Sequence, residues 1–148
     1  MTQASVAIRK ANAADAVALA DLSTQLGYPT EAAEILARLQ RVQDEQIGEV
    51  FVAVGVDDRV VGWAHVVPRF VLEDNPFAEL AGLVVDHAAR GNGVGVALLR
   101  SAEEWASAQG FVRFRVRSNV IRERAHRFYL REGYVERKRQ ITFEKPLI

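Results

Sequence analysis

The sequence contains no cysteine, and its 148 residues include only three histidines and one methionine. Without cysteine the chain cannot form a disulfide, attack through a thiolate or bind zinc through thiolate ligands. Three histidines scattered along the chain also argue against a histidine metal cluster. We therefore expect no metal, and the absence of cysteine favours direct attack in any group transfer, since a thiol relay is impossible.

Long apolar runs are missing as well. No stretch approaches the roughly 20 apolar residues of a membrane helix, and the start "MTQASVAIRKANAADA" lacks the apolar centre of a signal peptide. Hydrophobic residues make up 49% of the chain, charged residues 26%, and the formal net charge is zero. This composition is that of an ordinary globular protein. We expect one domain spanning residues 1–148 and a soluble, cytoplasmic protein.

Basic charge is concentrated in one region: nine arginines and Lys138 lie within residues 113–139. Such a concentration can indicate a nucleic-acid surface. Here the arginines alternate along a predicted strand, at 113, 115 and 117, and then mix with glutamates on a predicted helix. This arrangement favours a solvated face, so neither a nucleic acid nor a membrane is an expected partner.

Cap and turn signals predict the elements of the first half of the chain. After a first strand, Asn12 is placed to cap a helix that Gly27 ends, and Thr30 is placed to cap a second helix. Two β-rich runs follow, joined by "VDDR" as an antiparallel hairpin, and Pro68 is expected to end the second run. A mixed α/β sheet with mostly antiparallel N-terminal strands is the natural packing.

The second half continues the pattern with a third β-rich run at residues 76–85 and a glycine-rich loop. A helix closed by Gly110 and a strand come next, then a helix from near Asn119 to Gly133. "YVERKRQITFEK" is expected to form the last strand or pair of strands. The predicted order is β-α-α-β-β-β-α-β-α-β.

The loop "RGNGVG" at residues 90–95 carries the strongest functional signal. A helix that opens on bare peptide N–H groups suits an anion, and glycine allows close approach, although a plain flexible turn would also be rich in glycine. A Rossmann dinucleotide fingerprint would require glycine where Val96 stands, and antiparallel strands precede the loop instead of a βαβ unit. An NAD-binding domain is therefore a weak third alternative.

Two segments carry a resemblance to a known family. The pattern Arg-x-x-Gly-x-Gly, formed by Arg90, Gly93 and Gly95, follows a strand and closely resembles the acyl-CoA pyrophosphate loop of the GNAT N-acetyltransferase superfamily. "SNVIRERAHRFYLREGY", residues 118–134, resembles that superfamily's second cofactor segment, and looks most like the aminoalkylphosphonate N-acetyltransferases. The first 75 residues carry no comparable match, and His87 stands where proline is common in the family.

The resemblance implies a GNAT-like fold with a splayed central pair of strands that holds acyl-CoA. It implies an enzyme that moves an acetyl group from acetyl-CoA to a primary amine of a small molecule or peptide, by direct attack in a ternary complex. A homodimer is also expected. The cofactor residues that it implies are Leu83, Val84, Val85, Arg90, Gly91, Asn92, Gly93, Val94, Gly95, Asn119 and Tyr129.

Glu79 is the candidate general base, since a lysine-like amine is neutral in only about one molecule in a few thousand at pH 7. In GNAT enzymes a glutamate in this register often takes the amine proton, and strand alternation predicts that Glu79 faces the same side as Ala81, Leu83 and Val85. The alternative is a glutamate at a strand edge that faces water.

Tyr129 is the candidate general acid, because the family's usual acid is a phenol that donates to the departing thiolate. The alternative is a core aromatic, which is our interpretation of Phe128 because it shares a helical stripe with other apolar residues. Asn119 either orients the cofactor arm or the tyrosine, or caps a helix. Trp63 and His65 share a strand face and either line the acceptor pocket or are simply packed.

The acceptor amine is less well defined by the sequence. Tyr28, Glu31, Phe70, Glu73 and Asp74 lie in segments expected to border the cleft, and the acidic ones favour a cationic amine over an anionic one. Arg69 is the obvious candidate in that region for an anionic acceptor. A second class of function, a non-catalytic acyl-CoA-binding sensor or interaction module, would require neither Glu79 nor Tyr129.

Overall fold

The computed structural model describes residues 6–148, which form five strands and four α-helices. Two short 3₁₀ turns, Ala13–Asp15 and His87–Ala89, precede the first and third helices. In chain order the elements are β1 Ala7–Lys10, α1 Ala16–Leu26, α2 Ala32–Glu45, β2 Glu49–Val54, β3 Val60–Val71, β4 Asp74–Val85, α3 Val94–Ala108, β5 Phe114–Val116 and α4 Glu123–Arg131.

The five strands form one sheet in the order β1-β2-β3-β4-β5. Neighbouring strands are antiparallel except β4 and β5, which are parallel. A parallel pair requires a crossover, and α3 provides it. The α/β class, the mixed sheet and the predicted element order through α4 are confirmed.

The two faces of the sheet are covered by different helices. On one face, residues of β2 pack with α1 and α2 in a buried cluster whose members are Ala11, Leu19, Leu39, Val50, Val52 and Val54. Trp63 of β3 packs against this cluster. On the other face a Cβ at Gly62 would lie 3.0 Å from Leu98 of α3, so β3 and α3 approach closely there. The glycine at 62 makes this close packing possible.

The chain divides into two compact units, Met1–Arg117 and Ser118–Ile148. The first unit contains the whole five-stranded sheet with α1, α2 and α3. The second contains α4, whose Phe128 and Tyr129 rings meet edge to face with their centroids 5.2 Å apart. The expectation of one functional domain over residues 1–148 stays a prediction.

Most of the predicted helix signals are confirmed. The side chain of Asn12 accepts a hydrogen bond from the Ala14 N–H, at the 3₁₀ turn that leads into α1. Gly27, Gly110 and Gly133 follow α1, α3 and α4 in the left-handed conformation, where glycine carries no steric penalty. The "VDDR" hairpin is present, with the Gly55 N–H donating to the Arg59 carbonyl.

Two boundary predictions in the first half are wrong. The N-cap of α2 is Glu31, whose backbone N–H donates to the Glu34 carboxylate at 3.4 Å, whereas the Thr30 hydroxyl donates to the Tyr28 carbonyl. Pro68 lies inside β3, opposite Ala78 of β4. Because the Ala78 N–H points to β5, the Pro68 nitrogen faces the β2 side, where β2 no longer pairs, so no ladder hydrogen bond is lost.

Two predictions in the second half are also wrong. Helix α4 begins at Glu123, and Asn119 instead forms a turn in which its side chain accepts from the Ile121 N–H. The last strand is not present: residues 135–148 join no strand of the described sheet. A strand requires a neighbouring strand for its backbone hydrogen bonds as well as alternating side chains. This segment has the alternation without the neighbour, and its apolar residues Ile141 and Phe143 are exposed.

Among residues 6–148, no helix is both long enough and apolar enough to cross a membrane.

Candidate active site

Strand β4 is paired on both sides from Ala78 to Leu80 and on one side from there to Val85. The parallel pairing with β5 covers only Ala78–Leu80, whereas the pairing with β3 continues to Val85. The Asp86 N–H donates to the Val61 carbonyl, so alternation turns the backbone groups of Leu83 and Val85 away from β3, toward the open edge. This is the splayed pair of strands that the resemblance implied, and its free peptide groups are available to a ligand.

A bulge at Ala81 changes which side chains share a face of β4. His65 lies opposite Gly82 and Val66 lies opposite Leu80, which leaves Ala81 as an extra residue without a partner. The extra residue reverses the alternation. The prediction that Glu79 shares a face with Leu83 and Val85 is therefore wrong.

The register gives the correct set of neighbours for Glu79. Opposite residues of an antiparallel pair point to the same side, so the face of Glu79 also carries Gly82 and Val84 from β4 and Trp63 and His65 from β3. The side chain of Val84 is buried. Leu83 and Val85 point to the opposite face, and they present their backbone, not their side chains, at the open edge.

The glycine loop leads directly into α3. Gly91 and Gly93 have φ values of 84° and 77°, a left-handed conformation that other residues rarely adopt. Gly93 is the N-cap of α3 and so has no side chain to accept from the first-turn amides, and the first turn carries no acidic residue. The first intrahelical bond beyond it is from the Ala97 N–H to the Gly93 carbonyl, so among residues 6–148 the amides of Val94, Gly95 and Val96 have no backbone acceptor and can bind an external one.

The start of this loop is tied to α1 by a residue that the sequence did not single out. The side-chain amide of Gln25 donates to Asp86 at 3.3 Å, and its carbonyl oxygen accepts from the His87 N–H at 3.3 Å. The two bonds span 61 and 62 residues of sequence, and no local pattern indicates them. Further along the loop, Asn92 donates from its side chain to the Ala89 carbonyl.

Glu79 is buried, with 8% of its surface exposed, and two arginines contact its carboxylate. The Arg117 Nε donates to Oε1 at 2.8 Å, and the Arg69 Nε lies 3.7 Å from Oε2, too far for a hydrogen bond. The interpretation of Glu79 as a water-facing glutamate at a strand edge is therefore wrong. The other oxygen of Glu79, Oε2, accepts no hydrogen bond from residues 6–148.

Asp74, the other carboxylate of β4, is ion-paired with Arg113 at 2.9 Å and also with Arg115. These hydrogen bonds lower the pKa of Asp74 well below its usual range. Its charge is already balanced within the protein, so it does not favour a cationic acceptor in the way the sequence suggested. The solvated-face prediction is also wrong for Arg113 and Arg115, whose side chains are only 30% and 20% exposed.

Trp63 and His65 share a face, as predicted, and lie over the second half of β4. A Cβ at Gly82 would be 2.7 Å from two carbons of the Trp63 ring, so only glycine leaves room for the indole. The Trp63 Nε1 and His65 Nε2 atoms are buried and have no hydrogen-bond partner among residues 6–148. Burial lowers the pKa of His65 and keeps its imidazole neutral at neutral pH.

Tyr129 and Asn119 belong to the second compact unit, whereas Glu79 and the glycine loop belong to the first. Burial raises the pKa of Tyr129 to about 12, against a small opposing effect of Arg122. Its ring lies between those of Phe128 and Tyr134, with a centroid distance of 5.9 Å to Tyr134. The Asn119 carbonyl accepts from the Arg122 N–H and lies 2.9 Å from the His126 Nε2 atom, which holds the turn before α4.

No group of three or more acidic or histidine side chains that could hold a metal ion occurs in residues 6–148.

Comparison with known proteins gives two curated relatives of related activity. The chain is 33% identical over 101 residues to an aminoglycoside N(6')-acetyltransferase type 1 of Klebsiella aerogenes, and 39% identical over 89 residues to an aminoalkylphosphonate N-acetyltransferase of Salmonella typhimurium. The matches cover 66% and 60% of this chain. They span 66% and 56% of the length of those relatives, less than two thirds of each.

Solved structures share the fold over nearly the whole chain. The aminoglycoside N-acetyltransferase AAC(6')-Iy in complex with CoA superposes with a TM-score of 0.85 at 20% identity, covering 96% of this chain and 95% of that one. AAC(6')-Ih of Acinetobacter baumannii gives a TM-score of 0.83 at 18% identity, covering 97% and 99%. These matches confirm the predicted GNAT-like fold.

The family model described as the acetyltransferase (GNAT) family matches residues 16–134. That range contains the strand with the bulge, the glycine loop and the "AHRFYLREGY" stretch on which the resemblance rested. The predicted family is confirmed, and both curated relatives are named as N-acetyltransferases. The chain belongs to the GNAT acetyltransferase family.

Proposed function

We propose that the protein transfers the acetyl group of acetyl-CoA to a primary amine of a small molecule, by direct attack within a ternary complex. The observation that carries this proposal is the glycine loop at the N-terminus of α3, directly after the open edge of β4. Together they offer unpaired amides for a pyrophosphate and a free strand edge for an amide-rich arm.

The residues that would hold the cofactor follow from these two features. The backbone of Leu83 and Val85 would pair with the amides of the thioester arm, as an added strand does. The loop and first-turn amides would surround the pyrophosphate, with the positive end of the helix dipole and the Arg90 guanidinium balancing its charge. Acetyl-CoA supplies the activated acetyl group as a thioester. The residues of this proposed site in the first unit are Leu83, Val84, Val85, Arg90, Gly91, Asn92, Gly93, Val94 and Gly95, and the resemblance to the family adds Asn119 and Tyr129 as candidates.

Glu79 is the proposed general base. Its Oε2 atom accepts no hydrogen bond from residues 6–148, so this oxygen can first accept from the substrate ammonium and then take the proton. Oε1 is held by Arg117, which fixes the orientation of the carboxylate. A base fixed by a second group is the usual arrangement for positioned proton transfer.

Tyr129 is the proposed donor to the departing thiolate. With its pKa raised to about 12, the phenol stays protonated throughout the neutral range. Full proton transfer to a thiolate with a conjugate pKa near 8.5 would be uphill by about 5 kcal/mol. We therefore assign Tyr129 the role of a hydrogen-bond donor to sulfur, not that of a complete proton source.

The proposal is tested by separating binding from chemistry. Thermal shift with acetyl-CoA, CoA and NAD should show stabilisation by the first two alone, because the chain has no third fingerprint glycine for NAD. Release of CoA should then be measured with a panel of primary amines. Acetyl-CoA binding without CoA release from any amine would favour the alternative, a non-catalytic sensor or interaction module. The homodimer and the cytoplasmic location stay predictions from the sequence.

A further inference from the structure

We propose that Arg69 and Arg117 form an oxyanion-binding site beside Glu79, and that the acceptor therefore carries an anionic group close to its amine. This inference rests on the proposed function, because it concerns the acceptor of the same reaction. It names a phosphonate or a carboxylate as the group that the two guanidinium ions recognise.

The two arginines lie beside the same carboxylate, and each faces it with its Nε atom. The Nε of Arg117 donates to Oε1 of Glu79 at 2.8 Å, and the Nε of Arg69 lies 3.7 Å from Oε2. Neither guanidinium uses its terminal nitrogens in a hydrogen bond with any residue from 6 to 148. The donor pairs at the ends of both side chains are thus available to a ligand.

The neighbouring cluster on β4 shows what a fully internal arrangement looks like. There the terminal nitrogens of Arg113 contact both the Asp74 carboxylate and the Asn75 carbonyl, and a terminal nitrogen of Arg115 also contacts Asp74. Both terminal nitrogens of Arg113 and one terminal nitrogen of Arg115 are thus engaged within the protein. The difference between the clusters indicates that the free ends beside Glu79 are not a general property of this arginine-rich strand region.

The Arg69 Nε lacks a hydrogen-bond partner among residues 6–148, as does the Arg115 Nε of the neighbouring cluster, so the two clusters differ at the ends of their guanidinium groups and not at Nε. Both Nε atoms are buried. A buried donor without a partner is uncommon in proteins, because it loses its water without gaining a replacement. The side chains of Arg69 and Arg117 are nevertheless 41% and 62% exposed, so a small molecule can reach them.

The charge of the cluster determines the kind of acceptor that fits. Two guanidinium ions and one carboxylate leave one positive charge in excess, and an amine without an anionic group would add a further positive charge. A zwitterion matches the cluster instead, with its ammonium at Glu79 and its oxyanion at the arginines, whose planar donor pairs suit carboxylate and phosphonate oxygens. Because both arginines contact the same carboxylate, the anion and the amine should be separated by only a few bonds.

The test measures binding directly by calorimetry, in the presence of CoA, so that it does not depend on turnover. The probes are 2-aminoethylphosphonate, β-alanine and n-propylamine, which place a phosphonate, a carboxylate or a methyl group two carbons from the nitrogen. We expect at least one of the two zwitterions to bind about tenfold or more tightly than n-propylamine. The ranking of phosphonate and carboxylate identifies which oxyanion the site prefers.

Variants locate the preference on the two arginines. Arg69→Gln and Arg117→Gln should each remove this preference by weakening the binding of the zwitterion about tenfold or more, and should change the binding of n-propylamine by a smaller factor. Arg117→Lys retains the charge and loses the planar pair of donors, so it should weaken the binding of the zwitterion less than Arg117→Gln does. It also serves as a second variant in case the glutamine variant does not fold. Arg41→Gln on α2 is the matched control, since Arg41 pairs with Glu45 away from β4 and its loss should change no affinity.

Equal affinity for all three probes, or a preference that survives both glutamine variants, would overturn the oxyanion site. If the zwitterion binds through the arginines while no amine releases CoA, the proposed acetyl transfer is refuted and the oxyanion site stands. If n-propylamine is acetylated as fast as the zwitterions and binds as tightly as they do, the acetyltransferase proposal stands and the oxyanion site is refuted.

Discussion

The two halves of β4 differ in the groups that they offer to a ligand, and the division falls at Ala81. Before the bulge the strand is paired with β3 and, from Ala78 to Leu80, with β5, and its carboxylates are engaged by arginines. After the bulge the strand is paired on one side only and runs into the glycine loop. The first half offers side chains, and the second half offers its backbone.

This difference indicates how one strand can address two substrates. Peptide N–H and C=O groups cannot be removed by substitution of most residues, so a site made of backbone accepts a constant chemical group, such as the shared cofactor of the family. Side chains change with each substitution, so a site made of side chains suits an acceptor that differs between family members. Changes on either side of Ala81 should therefore affect different substrates.

The largest expected effect comes from the backbone half. Gly93→Asp places a carboxylate and its bulk where the pyrophosphate is proposed to lie, and it should abolish acetyl-CoA binding measured by calorimetry, while the fold survives. Gly93→Asn is the matched control, because asparagine has almost the same shape, tolerates a positive φ and is uncharged. It should retain more affinity than the aspartate. A folded aspartate variant that binds acetyl-CoA as tightly as the parent would show that this loop does not hold the phosphates.

The next effect comes from the side-chain half. Glu79→Gln keeps the shape of the side chain and removes the base, so turnover near neutral pH should fall by about 10² or more, with acetyl-CoA affinity nearly unchanged. Activity should partly recover at high pH, because more of the amine is then neutral without help. The measurement is the pH profile of kcat/KM for a good acceptor. An unaltered profile would remove Glu79 from the mechanism.

A smaller loss is expected for Tyr129→Phe, which extends the comparison to a side chain outside β4. The ring is retained, so the fold and the cofactor affinity should change by no more than a few-fold, whereas the single-turnover rate should fall by about tenfold or more. Because the parent phenol titrates at about 12, the parent rate should show no alkaline limb from this group below about pH 11. Normal single-turnover chemistry combined with lost stability would identify Tyr129 as a core aromatic instead.

The smallest effect on turnover is expected for Asp74→Asn, the matched change at the other carboxylate of the strand. The pKa of Asp74 is lowered in the folded state, so its stabilising contribution is present above the unfolded pKa and is lost as the pH falls through the lower, folded value. The variant should have a lower Tm than the parent at pH 7, and the difference should shrink as the pH falls below about 4. Turnover per folded molecule should stay near that of the parent. A loss as large as that of Glu79→Gln would break the distinction between the two carboxylates.

The sequence predicted the features that depend on local chemistry. Asn12, Gly27, Gly110 and Gly133 mark helix ends because a cap or a positive φ is decided by one or two residues. The glycine loop and the candidate base were visible for the same reason. The α/β class followed from the order of periodic segments.

The sequence did not predict the features that depend on partners far along the chain. Nothing near Glu79 indicates Arg117, which is 38 residues away, and nothing near Gln25 indicates Asp86. Pro68 was expected to end a strand because its own sequence does not reveal that β2 has already stopped pairing there. The last strand was expected from its alternating residues, but the sequence does not reveal that this segment has no neighbouring strand in the described sheet.

The bulge at Ala81 also shows where the information for this arrangement resides. No property of the alanine side chain is needed for it: what matters is that the strand contains one residue more than its partner between Leu80 and Gly82. Deleting that residue would leave every functional side chain in the chain and on its present face, because Leu80 and Gly82 would then follow one another opposite Val66 and His65, but it would remove the bend and extra twist that a bulge gives the strand. The feature that matters at this position is the number of residues in β4 relative to β3, and a list of functional residues would not record it.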